Sequence, residues 1–177
     1  MGDKLSGKRV LISGGGTGIG REIAHTFLDE GARVVICGRR HGPLKKTVED
    51  LSGKDREIHF IECDISDPED VQAMVEKSDA LLGGLDEMVN NAGIYEGGSV
   101  ETATLKKGDR VMNTNLRGVF LLTNACIHHL KAAGRGASVL NISSTMGRKI
   151  EQQTLPYAVS KAGLDAFTRC CAIDFAE

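Results

Sequence analysis

Short apolar runs alternate with helix-patterned segments along this chain, and that alternation limits its fold more than any other feature. Val10-Leu11-Ile12, Arg33–Cys37, Ile58–Ile61, Leu85–Val89 and Ala137–Ile142 are short segments rich in apolar or β-branched residues. Runs of this kind suit strands buried on both faces, as in a parallel sheet. Between them, Ile19, Ile23, Phe27 and Leu28 recur at helical spacing, and Gly31 stands where a C-cap glycine would. Ser66-Asp67-Pro68-Glu69 opens a second helix with a capping side chain, an early proline and acids against the dipole. Val71, Met74, Val75 and Leu81-Leu82 form its apolar face. The pattern predicts a long helix over about 105–132 and another from near Pro156 to the end. Repeated βα units imply an α/β fold: a doubly wound, Rossmann-like parallel sheet of about five strands. Ligands of such sheets bind beyond the carboxyl ends of the strands.

The length of 177 residues fits one domain, and the net charge of -2 argues against a nucleic-acid binder. No apolar run is long enough to span a bilayer. Five cysteines without a CxxC pair are read as reduced, buried or half-buried thiols of a cytoplasmic protein. The opening Met1-Gly2-Asp3-Lys4-Leu5-Ser6 matches an acylation pattern but is read as a surface lead-in to the first strand.

The first strand runs into Ser13-Gly14-Gly15-Gly16-Thr17-Gly18-Ile19-Gly20, which fits a GxxxGxG register on Gly14, Gly18 and Gly20. Glycine here permits a tight turn and brings backbone N–H groups at a helix start close to a pyrophosphate. The second strand ends in Gly38-Arg39-Arg40, where an NAD-type site would carry an acid for the ribose hydroxyls. Two guanidinium groups without that acid favour the 2′-phosphate of NADP over NAD. Asp64, after the third strand, can accept from an adenine amino group or brace the next helix. Asn90-Asn91-Ala92-Gly93 suits backbone near a ribose, or a brace of strand ends.

Tyr157 and Lys161 lie four apart and share a helix face. A free phenol is a weak acid with a pKa of about 10, and an ammonium beside it favours the ionised form. Ser144, thirteen positions before Tyr157, places a hydroxyl at the carboxyl end of the fifth strand. Val111, Asn115, Val119, Leu122 and Cys126 form a helical stripe interrupted by one amide. That amide is either a satisfied core asparagine or the holder of a water relaying protons to Lys161.

SGGGTGIG, CDISD, NNAG, NTNLRG, ISSTMG and YAVSK, in that order, resemble the short-chain dehydrogenase/reductase family over essentially the whole chain. The resemblance implies an oxidoreductase acting on a small carbonyl or alcohol substrate with a nicotinamide cofactor. It implies that Asn115, Ser144, Tyr157 and Lys161 form the catalytic set. Ser144 rather than Ser143 matches the serine, and Ser13 replaces the usual threonine at the head of the glycine motif. Cofactor contacts are expected at Gly14, Gly16, Thr17, Gly18, Ile19, Gly20, Arg39, Arg40, Asp64, Ile65, Asn90, Asn91, Ala92 and Gly93, with Tyr157 and Lys161. A homo-oligomer is expected through the helices at about 105–132 and 156–177, where Leu121, Ala125, Ile127, Leu130, Val159, Ala166, Phe167 and Ile173 supply apolar surface. Family members continue past the YxxxK helix, so this chain is expected to be a single domain incomplete at its C-terminus, with its fifth strand an exposed edge. The alternative is a nucleotide-binding or regulatory form without turnover.

Overall fold

The computed structural model describes residues 2–54, 56–134 and 136–176. Packing divides the chain into two compact units, Met1–Ala92 with Leu121–Leu140, and Gly93–Phe120 with Asn141–Glu177.

The first unit is built on a five-stranded parallel sheet in the order β3-β2-β1-β4-β5. Its strands are β1 (Arg9–Ser13), β2 (Arg33–Gly38), β3 (Ile58–Glu62), β4 (Glu87–Asn90) and β5 (Ser138–Asn141). β1 pairs with β2 on one side and β4 on the other, so the strand order reverses at β1. Val10, Leu11, Ile12, Val34, Val35 and Ile36 are fully buried, as continuous apolar runs require. β5 departs from that expectation: it alternates between exposed and half-buried positions, and Leu140 keeps 46% of its surface.

Helices α1 (Gly18–Asp29), α2 (His41–Leu51) and α3 (Pro68–Leu82) belong to this unit, with most of α5 (Gly118–Ala133). α1 closes at Gly31, in the left-handed region, with the Ala32 N–H donating to the Phe27 carbonyl. Asp67 rather than Ser66 caps α3, accepting from the N–H groups of Glu69 and Asp70. Leu122, Cys126 and Leu130 on α5 join Val71, Met74 and Val75 on α3 in one core under the sheet.

At the strands' amino ends one Asp86 oxygen accepts from Arg9 Nε at 2.7 Å and from the Arg9 N–H at 2.9 Å, and its other oxygen accepts from Arg9 Nη2 at 2.9 Å. The Arg9 hydrogen bonds, against the cost of partial burial, hold the Asp86 carboxyl down at about 2. All five cysteines are free thiols; Cys37, Cys63 and Cys126 are core residues, whereas Cys170 is exposed rather than half-buried. Burial pushes the Cys126 thiol up to about 12.

The second unit contains α4 (Leu105–Met112), a π-helical turn over Asn113–Arg117, the first turn of α5, a 3-10 turn at Thr145–Gly147 and α6 (Leu155–Asp174). α4, the π turn and α5 are consecutive, so the long helix expected over 105–132 forms with one wide turn in it. Helix α6 stops at Asp174, three residues before the expected end, and Glu177 lies outside the described residues. Gly163 is where α6 approaches the π turn: a Cβ there would stand 2.9 Å from a Leu116 methyl.

Candidate active site

In the first unit, β1 ends at Ser13, which is fully buried. Its hydroxyl accepts from the N–H groups of Asn91 and Ala92, each at 3.1 Å, and donates to the Val89 carbonyl at 3.3 Å. The Asn91 amide donates to the carbonyls of Ser13 at 3.0 Å and Gly14 at 3.2 Å. The end of β4 is thus a brace for the glycine turn. Of the two alternatives for the NNAG segment, this geometry gives Asn91 the structural one. Gly14 has φ of +70°, and a Cβ on it would stand 2.8 Å from the Asn91 amide nitrogen and 2.9 Å from Ala92 Cα. A side chain at Gly20 would collide with the Gly14 carbonyl.

Gly16 packs on the start of α2, its carbonyl accepting from Thr47 Oγ1 at 3.1 Å. Thr17 stands at the N-cap of α1 without a side-chain cap bond, so the cap hydroxyl leaves the first N–H groups of the helix unclaimed. Nothing lies within 4 Å of a Cβ placed on Gly18, and Ile19 is 64% exposed. An uncapped helix start under open space, on a turn only glycine can make, fits a pyrophosphate.

Arg39 and Arg40 are exposed after β2. Arg39 Nη1 lies 3.8 Å from Asp64 Oδ2. The other Asp64 oxygen accepts from the Ser66 N–H at 3.0 Å and the Ser66 hydroxyl at 2.7 Å. Partial burial opposes ionisation, but the Ser66 hydrogen bonds and the Arg39 charge together hold the Asp64 carboxyl below its ordinary range. The Ile65 side chain is a core residue at 4% exposure, so the cofactor contact expected there would fall to its backbone. Gly93 is exposed.

In the second unit, Asn115 is fully buried on the π turn. Its Oδ1 accepts from the Ile94 N–H at 2.8 Å, and its Nδ2 donates to the Ile94 carbonyl at 2.9 Å and to Ser160 Oγ at 3.1 Å. Ser160 in turn donates to the Tyr157 carbonyl at 2.7 Å. This chain of bonds ties Ile94, the π turn and the first turn of α6 together. The extra residue of a π turn redirects a side chain without ending the helix, and such turns often occur at functional positions.

Lys161 is 5% exposed and donates to the Ile142 carbonyl at 2.7 Å. Its Nζ lies 5.9 Å from the centre of the Tyr157 ring. Burial pushes the Lys161 ammonium down from its ordinary value, and the Asp165 charge pulls it partly back. Tyr157 is half-buried, and its ring meets Tyr95 edge to face, centres 5.2 Å apart at 66°. Ser144 caps the 3-10 turn, accepting from the Met146 N–H at 3.2 Å. The Ser143 hydroxyl is buried with no hydrogen-bond partner among the described residues. The second unit therefore gathers Asn115, Tyr157 and Lys161 with two residues that sequence reasoning passed over, Ser160 and Tyr95. Ser160 lies within the YAVSK motif itself, whereas Tyr95 carries no spacing signal.

The model described as short chain dehydrogenase matches residues 8–177. The chain belongs to the short-chain dehydrogenase family. A Mycobacterium tuberculosis relative, (5R,7aS)-5-hydroxy-7a-methyl-1-oxo-2,3,5,6,7,7a-hexahydro-1H-indene-carboxyl-CoA reductase, is 37% identical over 98% of this chain and 67% of its own. L-fucose dehydrogenase of Bos taurus is 35% identical over 98% of this chain and 63% of its own. NADP-dependent (R)-specific alcohol dehydrogenase of Lentilactobacillus kefiri is 35% identical over 99% and 69%. The chain thus spans roughly two thirds of the length of these relatives. A short chain dehydrogenase from Mycobacterium smegmatis superposes with a TM-score of 0.94 at 34% identity, covering 99% of this chain and 74% of that one. One from Burkholderia cenocepacia, solved in complex with NADP, gives 0.91 at 33% identity, covering 98% and 70%. Among the described residues of this short-chain dehydrogenase, no helix is long and apolar enough to cross a membrane.

Proposed function

We propose that this short-chain dehydrogenase interconverts a carbonyl compound and a secondary alcohol with NADP(H), using Tyr157 as acid/base. The observation that carries the reading is the buried Lys161 ammonium held beside the Tyr157 ring on one helix turn. A bound nicotinamide supplies or accepts the hydride. In the first unit the glycine turn and the uncapped start of α1 hold the pyrophosphate, Arg39 and Arg40 take the 2′-phosphate, and Asp64 receives the adenine amino group. In the second, Tyr157 gives its phenolic proton to the developing alkoxide during reduction and removes it during oxidation. Ser144 donates a hydrogen bond to the same oxygen. Lys161 holds its positive charge beside the Tyr157 ring and donates to a ribose hydroxyl. Asn115 and Ser160 act behind this group as positioning residues, fixing the turn that carries Tyr157.

NADP is favoured over NAD by the exposed arginine pair after β2, and one relative and one solved structure are named with that cofactor. The relatives' names include an alcohol dehydrogenase, a sugar dehydrogenase and a reductase, which supports the carbonyl/alcohol class. The reading takes residues 1–177 as one nucleotide-binding domain acting in the cytoplasm. It includes self-association through the long helices, supported by exposed Phe120, Val159 and Ile173. Leu121, Ala125 and Leu130, expected to contribute to that surface, pack on the core instead.

Separate measurements of NADPH binding, NADH binding and turnover test the proposal. NADPH should bind more tightly, and Arg39→Ala should remove most of the preference. Tyr157→Phe should abolish turnover and leave cofactor affinity nearly unchanged. Equal affinities would refute the cofactor choice, a near-normal rate in Tyr157→Phe would refute the chemistry, and binding without turnover would favour the regulatory alternative.

A further inference from the structure

Tyr95 is 57% exposed, yet the loop that carries it is fastened at three points. Asn115 binds both the N–H and the carbonyl of Ile94. Glu96, one residue after Tyr95, pairs with Arg110 at 2.8 Å on α4. Gly98 donates to the Gln153 carbonyl at 2.8 Å and accepts from the Leu155 N–H at 3.0 Å, two residues before Tyr157. A surface aromatic is ordinarily free to turn with its loop, whereas this one is presented by a braced loop with its ring against the Tyr157 ring. Leu155, on the same stitched segment, adds a second partly exposed apolar side chain. The polar tip of Tyr95 lies over Gly97, where a Cβ would stand 3.3 Å from its hydroxyl, so Gly97 is the residue that leaves room for it.

We propose that the exposed ring of Tyr95 is a specificity-determining wall, against which a ring-bearing carbonyl or alcohol substrate packs while its oxygen addresses the Tyr157 phenol. An aromatic face held at a fixed angle rewards flat or cyclic hydrocarbon surface and gives little to a short acyclic chain. The inference rests on the proposed role of Tyr157, since that phenol marks where the reacting oxygen lies.

The test measures binding rather than turnover. The 177-residue chain, with and without NADP+, is titrated by ligand-observed NMR with 1-decalone and with 2-butanone; with the oxidised cofactor a ketone binds without reacting. Tyr95→Ala should weaken 1-decalone about tenfold, the factor that corresponds to about 1.4 kcal/mol of aromatic contact, and should change 2-butanone less than about twofold. Tyr95→Phe, which keeps the ring, should bind both ketones within about twofold of the unmutated chain and guards against a folding defect in the alanine variant. The inference is overturned if 1-decalone binds the alanine variant unchanged, if both ketones lose affinity alike, or if the unmutated chain does not bind 1-decalone. Failure of the underlying reading shows elsewhere, as persisting turnover in Tyr157→Phe, and leaves these affinities readable.

Discussion

Replacing Asn115 by leucine tests whether the second unit is organised by its buried amide. Leucine has the same branched heavy-atom skeleton as asparagine, with bulkier ends, and suits the apolar stripe of Val111, Val119 and Leu122, so the change removes polarity while keeping the shape of the side chain. Three hydrogen bonds disappear, at 2.8, 2.9 and 3.1 Å. A typical bond contributes about 1 kcal/mol net, and leaving the Ile94 N–H and carbonyl without partners adds desolvation cost, so the loss should be about 3 to 4 kcal/mol. For a chain of this size that corresponds to a melting temperature lower by roughly 10 °C. Urea unfolding followed by circular dichroism gives the free energy, and hydrogen exchange at the Ile94 amide gives the local effect. That amide should lose most of its protection while the amides of β1 keep theirs. A loss below about 1 kcal/mol, or an Ile94 amide as protected as before, would show that the loop is held by something else.

Gly14→Ala should cost about 3 kcal/mol, because it combines a left-handed backbone with a contact of 2.8 Å on Asn91, and should weaken NADPH binding at least tenfold by displacing the turn. Thermal melts and a cofactor titration check both effects, and an unchanged affinity would remove the turn from the binding site. Asp86→Asn should destabilise by about 2 kcal/mol at pH 7, since the native carboxyl sits near 2 against an ordinary 3.8. Because the folded-state value is depressed, that contribution is present above about pH 4 and fades as pH falls towards 2. Urea melts of both proteins at pH 7 and pH 3.5 should therefore show the gap narrowing with acid, and a gap independent of pH would contradict the assignment. Val159→Glu should shift the light-scattering mass towards the monomer without lowering the melt of a monomeric reference, and an unmoved mass would clear that helix face of a role in association.

Much of this molecule was legible from local chemistry. Gly31, Asp67 and Pro68 mark helix ends by rules that act within four residues, and the stripe from Val111 to Cys126 is buried throughout. What escaped has causes of another kind. Helix α2 begins His41-Gly42-Pro43, a start without an Asp, Asn, Ser or Thr cap, and its position is set by contacts with Gly16 and β3 rather than by propensity. The π turn keeps right-handed helical dihedral angles at Met112, Asn113 and Gly118, so no residue type announces it; the Gly118 N–H donating to the Asn113 carbonyl reveals the shift. Asn91 is open to either role in sequence because an amide after a strand can serve ligand or backbone, and what no pattern shows is that its side chain donates to the Ser13 and Gly14 carbonyls. Tyr95 lies sixty-two positions before Tyr157, beyond the reach of any periodicity.

The placement of the cysteines makes the chain a gauge of its own opening. Cys37, Cys63 and Cys126 are sealed in the core of the first unit, whereas Cys170 is exposed and Cys171 partly so on the last helix of the second. An alkylating reagent at neutral pH should therefore modify two thiols quickly and three only when the sheet comes apart, more so because burial holds the Cys126 thiol far from its reactive thiolate form. Mass spectrometry of timed alkylation would then count molecules with two or five labels, separating folded molecules from those whose first-unit core has opened in one sample.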